Sequence, residues 1–91
     1  MGIEWKIEFT PLARRHLDEL EDRVRIEAIQ AIVDFREDPF PLGHLELRGH
    51  RGVYRIHFYR DQYRIIYRVS EKRGTVLIWR VRPRGSAYAG L

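Results

Sequence analysis

Cysteine is absent from the 91 residues, methionine occurs once, and lysine only at Lys6 and Lys72. Without cysteine there is no disulfide framework and no thiolate to act as nucleophile or metal ligand, so a cytoplasmic protein is the default expectation. No apolar run approaches the ~20 residues of a membrane-spanning helix, and Met1–Thr10 lacks a signal-peptide layout, so no membrane partner is expected. Also missing are a Gly-rich phosphate loop, a His-Glu-x-x-His pair and any metal-ligand spacing; the four histidines are scattered, and neither a metal nor another cofactor is expected. The only serines, Ser70 and Ser86, fall in turn and tail sequence, which argues against a seryl intermediate.

Acidic residues are scarce in one half of the chain. Residues 1–46 hold six cations against eleven acids, a net of −5, whereas residues 47–91 hold eleven cations against Asp61 and Glu71 alone, a net of +9. Fifteen of the seventeen cations are arginine, the side chain suited to bidentate phosphate contact and to stacking on bases. Segregated this way, the charges predict an acidic helical layer, a basic sheet layer and a polyanionic partner for the latter. At 44% hydrophobic residues the chain reads as a folded globule, one domain over 1–91.

Trp5 to Phe9 alternates as a short strand with Trp5, Ile7 and Phe9 on one face. Thr10-Pro11 then signals a helix start, and Leu12, Ala13, His16, Leu17 and Leu20 form its apolar stripe. A second helix is expected from about Asp22 to Asp38, with Val24, Ala28, Ala31 and Phe35, flanked by Ile29, Ile32 and Val33, as a wide buried face. Asp38-Pro39 ends it, and Phe40 to Gly52 reads as a loop. Val53 to Val69 alternates as a hairpin around Arg60-Asp61, pairing Phe58 with Tyr63, Ile56 with Ile65 and Tyr54 with Tyr67. A third strand, Thr75 to Val81, is expected to pair Thr75 with Val69, which places Leu77, Trp79 and Val81 in the core. The other face then collects Arg55, His57, Arg64, Arg68, Arg80 and Arg82, with Arg64 opposite Arg80. Like charges so placed destabilise a sheet, and a bound anion relieves that cost. The order β-α-α-β-β-β predicts an α+β fold, a helical hairpin packed on a mainly antiparallel four-stranded sheet. Where the first strand joins that sheet is not legible in the sequence.

Leu47-Arg48-Gly49, Tyr54-Arg55-Ile56, Tyr63-Arg64-Ile65-Ile66-Tyr67 and Val81-Arg82-Pro83-Arg84 followed by Tyr88 resemble the RelE/ParE superfamily of type II toxin–antitoxin toxins, over nearly the whole chain. The resemblance implies a toxin neutralised by a cognate antitoxin. In its RelE-like branch, such a toxin enters the ribosome and cuts mRNA without a metal, through attack of the ribose 2′-OH on the adjacent phosphate. Carried over residue by residue, it makes Arg64 the stabiliser of phosphorane charge and Arg84 the residue assisting the leaving oxygen. A guanidinium is a poor proton donor, so electrostatic help suits Arg84 better than acid catalysis. Tyr88 matches the tyrosine that stacks on or orients the base. Arg55 matches a phosphate-holding lysine or arginine, and Arg68, Arg80 and Arg82 extend the phosphate-binding set. His57 departs from certain RelE members, which carry a second lysine there; an imidazole has the better intrinsic pKa, ~6.5, for accepting the 2′-OH proton. Two other readings stay open: a ParE-like gyrase inhibitor without nuclease activity, and a non-catalytic RNA- or ribosome-binding module. The free toxin is expected as a monomer or dimer.

Overall fold

Thr10 starts the helical hairpin as its chemistry dictates. In the computed structural model, which describes residues 4–91, its Oγ1 accepts the Ala13 N–H at 3.0 Å, and Pro11 opens helix α1 (Pro11–Glu19). The first three residues of the Met1–Thr10 segment lie outside those described. The same hydroxyl donates to the Trp79 carbonyl at 3.1 Å, and the Thr10 N–H donates to the Ile78 carbonyl at 3.0 Å. One side chain therefore caps a helix and ties it to the sheet. Thr10→Val should cost about 1–2 kcal/mol in urea unfolding; an unchanged midpoint and slope would show that neither bond contributes.

Helix α2 (Asp22–Asp34) returns antiparallel to α1, and Arg25 joins the two. Its Nε donates to the Leu17 carbonyl at 2.9 Å, which also accepts the Leu20 N–H, and its Nη2 to the Leu20 carbonyl at 2.6 Å, a cation on the acceptor groups at the end of α1. The second helix stops short of the expected Asp38. Phe35, Arg36 and Glu37 each bond three residues back, so the last turn tightens to 3₁₀ geometry before Pro39 is reached. Its buried face is also narrower than expected: Val24, Ala28, Ile32 and Phe35 are buried, whereas Ile29 and Val33 are each 45% exposed.

Among the described residues the sheet has five strands: β1 (Lys6–Phe9), β2 (Leu45–Glu46), β3 (Val53–Phe58), β4 (Tyr63–Ser70) and β5 (Thr75–Pro83), in the spatial order β1-β5-β4-β3-β2. All neighbours are antiparallel except β1, which runs parallel to β5. The additional strand is β2, a two-residue edge piece within the Phe40–Gly52 segment, too short for alternation to reveal. Register between β3 and β4 is as expected: Phe58, Ile56 and Tyr54 face Tyr63, Ile65 and Tyr67. Together with Phe9, Ile78 and Val81, these residues form the face on which Ala13, Val24, Ala28, Ile32 and Phe35 pack.

Strand β5 departs from the expected register. Thr75 pairs with Ser70, not Val69, and a bulge leaves Trp79 without a partner between the Tyr67–Ile78 and Ile66–Arg80 pairs. Val76, Ile78 and Val81 therefore face the core, whereas Leu77 and Trp79 do not join the buried cluster. Arg64 lies opposite Arg82 rather than Arg80. The bulge falls where β1 ends and Thr10 takes hold of the Ile78 and Trp79 carbonyls, so the change of register accompanies the change of neighbour from strand to helix.

Candidate active site

Three cross-strand rows make up the sheet face turned away from the helices: Val53–Arg68–Leu77, Arg55–Ile66–Arg80 and His57–Arg64–Arg82. All six basic residues expected on one face are there. Their side chains are nevertheless committed differently. Arg68 lies over the Trp79 ring, 5.1 Å from its centroid, and Arg80 donates through Nη1 to the Ala87 and Ala89 carbonyls. That grip draws residues 84–91 back across the sheet, and Ile66 and Ala87 are fully buried outside the main core.

The third row gathers the chemistry. The β3–β4 turn carries Tyr59, Arg60 and Asp61 at φ of 54°, 55° and 67°, three consecutive left-handed residues of which none is glycine. Such residues are strained, Asp less than the others. This turn sets the Asp61 carboxylate among three side chains: Oδ1 lies 3.1 Å from Arg64 Nη1 and 3.9 Å from His57 Nδ1, and Oδ2 lies 3.4 Å from Arg84 Nη1. The Arg84 N–H also donates to the Gln62 carbonyl at 2.9 Å, which seats the start of the tail beside the turn. Arg64 is the enclosed member, its side chain only 11% exposed and its Nη1 donating to the Asp61 and Tyr63 carbonyls. His57 is open to solvent on one side, and Gly43 closes on the other; a Cβ at Gly43 would sit 3.3 Å from His57 Nε2, and its φ of +94° suits glycine.

The structure thus brings His57, Arg64 and Arg84 together, with Arg82 in the same row and Arg55 one row away. Tyr88 stands apart on the tail, 39% exposed, with no aromatic or side-chain hydrogen-bond contact among the described residues. Sequence reasoning took Asp61 for a turn residue and Gly43 for a loop residue. The available signal for Asp61 was its position as one of only two acids in the basic half of the chain.

His16 has a structural task. Among the described residues β5 has no strand on its outer edge beyond the bulge, and His16 Nδ1 accepts the Val81 N–H, otherwise unpaired among them, at 3.2 Å, with His16 6% exposed. This fixes the proton of the neutral ring on Nε2, which lies 3.5 Å from Arg82 Nη1, another donor. Leu12, Arg80, Arg82, Ser86 and Ala89 complete a cavity of about 260 Å³ around that pair. Burial, and then the charge of Arg82, hold the His16 pKa below its ordinary value of 6.5. The unfolded chain therefore takes up the proton first. Stability should be full above pH 6.5 and fall as pH drops from there to the lower native value. His16→Gln, which keeps an acceptor but cannot titrate, should flatten that part of the profile; equal slopes in the two proteins would contradict the assignment.

Solved structures define the class of this fold. The toxin–antitoxin complex RelBE2 from Mycobacterium tuberculosis aligns with a TM-score of 0.77 at 27% identity, over 90% of this chain and 100% of that one. The isolated RelE toxin of E. coli aligns at 0.76 and 24%, over 87% and 83% of the two chains. The α+β structure of this chain thus matches the RelE-like toxin fold. In sequence, the family model described as "ParE toxin of type II toxin-antitoxin system, parDE" matches residues 7–88. Toxin RelG of Mycobacterium tuberculosis (strain ATCC 25618 / H37Rv) is 31% identical over 87 residues, covering 94% of this chain and 98% of the relative. The chain belongs to the ParE toxin family of the RelE/ParE superfamily and is a type II toxin–antitoxin toxin.

Proposed function

We propose that this toxin is a ribosome-dependent mRNA endoribonuclease of the RelE-like kind. The reading rests on one observation: His57, Arg64 and Arg84 converge on Asp61, with Arg82 in the same cross-strand row. A phosphodiester at this point meets cations on several sides and a titratable imidazole beside them. The ribose 2′-OH attacks the adjacent phosphorus as His57 takes its proton, Arg64 and Arg82 stabilise the charge on the phosphorane oxygens, and the bond to the 5′-oxygen breaks next to Arg84. The products are a 2′,3′-cyclic phosphate and a 5′-hydroxyl, whose oxygen takes a proton from solvent as it leaves, while His57 later returns its proton to solvent. Asp61 lies near enough to offset the charge that His57 gains. These steps use side chains alone, with no cofactor. Arg55 is the neighbouring phosphate contact, with Arg68 and Arg80 at its margin, and Tyr88 stacks on a base once RNA is bound.

The partners in this reading are the ribosome with its mRNA and a cognate antitoxin, as in the relatives solved as toxin–antitoxin complexes. An antitoxin segment with acidic or apolar anchors suits the basic face, and Ile26, Ile29 and Val33 on α2 offer a partner an exposed apolar strip. Among the described residues no helix is long and apolar enough to cross a membrane.

Primer extension on mRNA in a translating lysate tests the proposal. Wild-type toxin should produce cuts within codons, absent when the ribosome is removed, and His57→Ala should cut more slowly by about 10²-fold or more, the usual loss on removing a general base. The ParE name of the matched family favours a second reading, inhibition of DNA gyrase. No cleavage together with inhibited supercoiling would establish it in place of the first.

A further inference from the structure

Arg64 presents an unusual donor balance. Its Nη1 is spoken for by the Asp61 carboxylate and by the Asp61 and Tyr63 carbonyls. Its Nε–H is buried and has no partner, and no partner falls to Nη2 among the described residues. Nε and Nη2 form one edge of the planar guanidinium, and of the two only Nη2 is open to a phosphate oxygen. A buried donor left unmatched at Nε is costly, and a guanidinium held there with Nη2 unpartnered and not buried is built for an acceptor that arrives at Nη2.

What holds it there is Asp61. The turn that carries this residue accepts strain at three consecutive non-glycine positions, where glycine would relieve it. The return is a carboxylate that reaches Arg64 with one oxygen and Arg84 with the other, and its main-chain carbonyl adds a second hold on Arg64. Without that charge, Arg64 and Arg84 repel each other, and the row already sets Arg64 against Arg82.

We infer that Asp61 is a positioning residue: its carboxylate clamps Arg64 and Arg84 by their Nη1 groups and so presents Arg64 Nη2 to the phosphate of the RNA, with the buried Nε–H reporting how the guanidinium is held. This rests on the nuclease reading above for its substrate. Asp61 does not touch the reacting atoms. It costs the protein some attraction for RNA, because it places a negative charge beside a phosphate, and it returns alignment of the residue that stabilises the transition state.

Opposite changes in binding and turnover distinguish this role from a structural one. Asp61→Asn keeps the turn conformation, which Asn tolerates, and the main-chain carbonyl, but removes the charge. Binding to an RNA blocked by 2′-O-methylation at the cleavage position should tighten by up to about 5-fold, the worth of one exposed charge. Single-turnover cleavage of bound mRNA should fall by about 10-fold or more, the effect of a misplaced catalytic group. In NMR, the Arg64 Nε–H signal, sharp and protected in the wild type, should broaden or exchange in Asp61→Asn. Both affinity and turnover unchanged would overturn the inference. So would a parallel loss of both with a lowered melting temperature, which marks a structural role, or a parallel gain, which marks Asp61 as a mere competitor for RNA. Should the wild type cleave no mRNA at all, the nuclease reading fails by itself, and the Nε–H signal together with affinity for the blocked RNA still decides whether Asp61 orients Arg64. An unchanged Nε–H signal in Asp61→Asn refutes the clamp in either case.

Discussion

In the nuclease proposed above, Arg64→Ala is expected to reduce ribosome-dependent mRNA cleavage by about 10²- to 10³-fold, the usual result of deleting a preorganised donor to a charged transition state. Several features make Arg64 the residue on which most depends. It is the most enclosed of the three basic groups around Asp61, with 11% of its side chain exposed against 46% for His57 and 65% for Arg84, so its charge is less screened by solvent than theirs. Its orientation is set by two main-chain carbonyls and one carboxylate before any substrate arrives. Arg64→Lys separates charge from geometry. A lysine keeps the charge but cannot anchor one edge while offering another, so it should restore only a small part of the lost rate. Ribosome binding by the alanine variant should change far less than cleavage, since Arg55, Arg68 and Arg82 remain on the same face. Cleavage by Arg64→Ala within a few-fold of wild type would remove Arg64 from the mechanism and leave His57 and Arg84 without a phosphate-binding centre.

The second large effect concerns stability. Phe35→Ala should destabilise the fold by about 3–5 kcal/mol, which for a chain of this length lowers the melting temperature by roughly 12 °C or more. Phe35 is 1% exposed at the end of α2, with its ring centroid 4.3 Å from that of Tyr67. Tyr67 is itself fully buried at the centre of the sheet, and its hydroxyl donates to the Pro39 carbonyl at 2.7 Å. Burial pushes the Tyr67 pKa well above its ordinary value, so this donor persists through the alkaline range. Phe35 thus joins the helical layer to the sheet at the point where the chain crosses between them, and its removal leaves a cavity against a ring that cannot follow without breaking its bond to Pro39. Phe35→Leu, which keeps most of the volume, should cost far less. Cleavage per folded molecule should be unchanged in both, because Phe35 lies on the far side of the sheet from His57 and Arg64. A loss under ~1 kcal/mol for Phe35→Ala would mean that the layers close over the gap.

The β3–β4 hairpin was legible because one face is buried, and a buried face ties register to the pattern of apolar residues. Tyr54, Ile56 and Phe58 match Tyr67, Ile65 and Tyr63 at every second position, and a short reversal centred on Arg60-Asp61 satisfies all three pairs. Strand β5 was misread because Thr75–Val81 is apolar on both faces. Leu77 and Trp79 fit the core by type as well as Val76 and Ile78 do, and nothing local marks Trp79 as a bulge. On α2 the apolar residues run nearly all the way round, so periodicity did not show that Ile29 and Val33 stay exposed. Charge partition, by contrast, survives small errors of register. The opposite face carries Arg64, Arg80 and Arg82 whichever of the two arginines on β5 faces Arg64.

What the sequence determined by itself was the set of layers, the helix start at Thr10-Pro11, the central hairpin and the basic character of one sheet face. Those properties follow from local periodicity, capping chemistry and side-chain charge, and each is complete within a short span of chain. Tertiary structure alone decided that β1 lies parallel beside β5, that His16 closes the edge left open past the bulge, and that the tail returns over the sheet through Arg80. It alone brought Arg84, 23 residues away, to the Asp61 carboxylate. Contacts of that kind depend on where two distant segments finish in space, and strained backbone at Tyr59–Asp61 persists only because the surrounding sheet holds it.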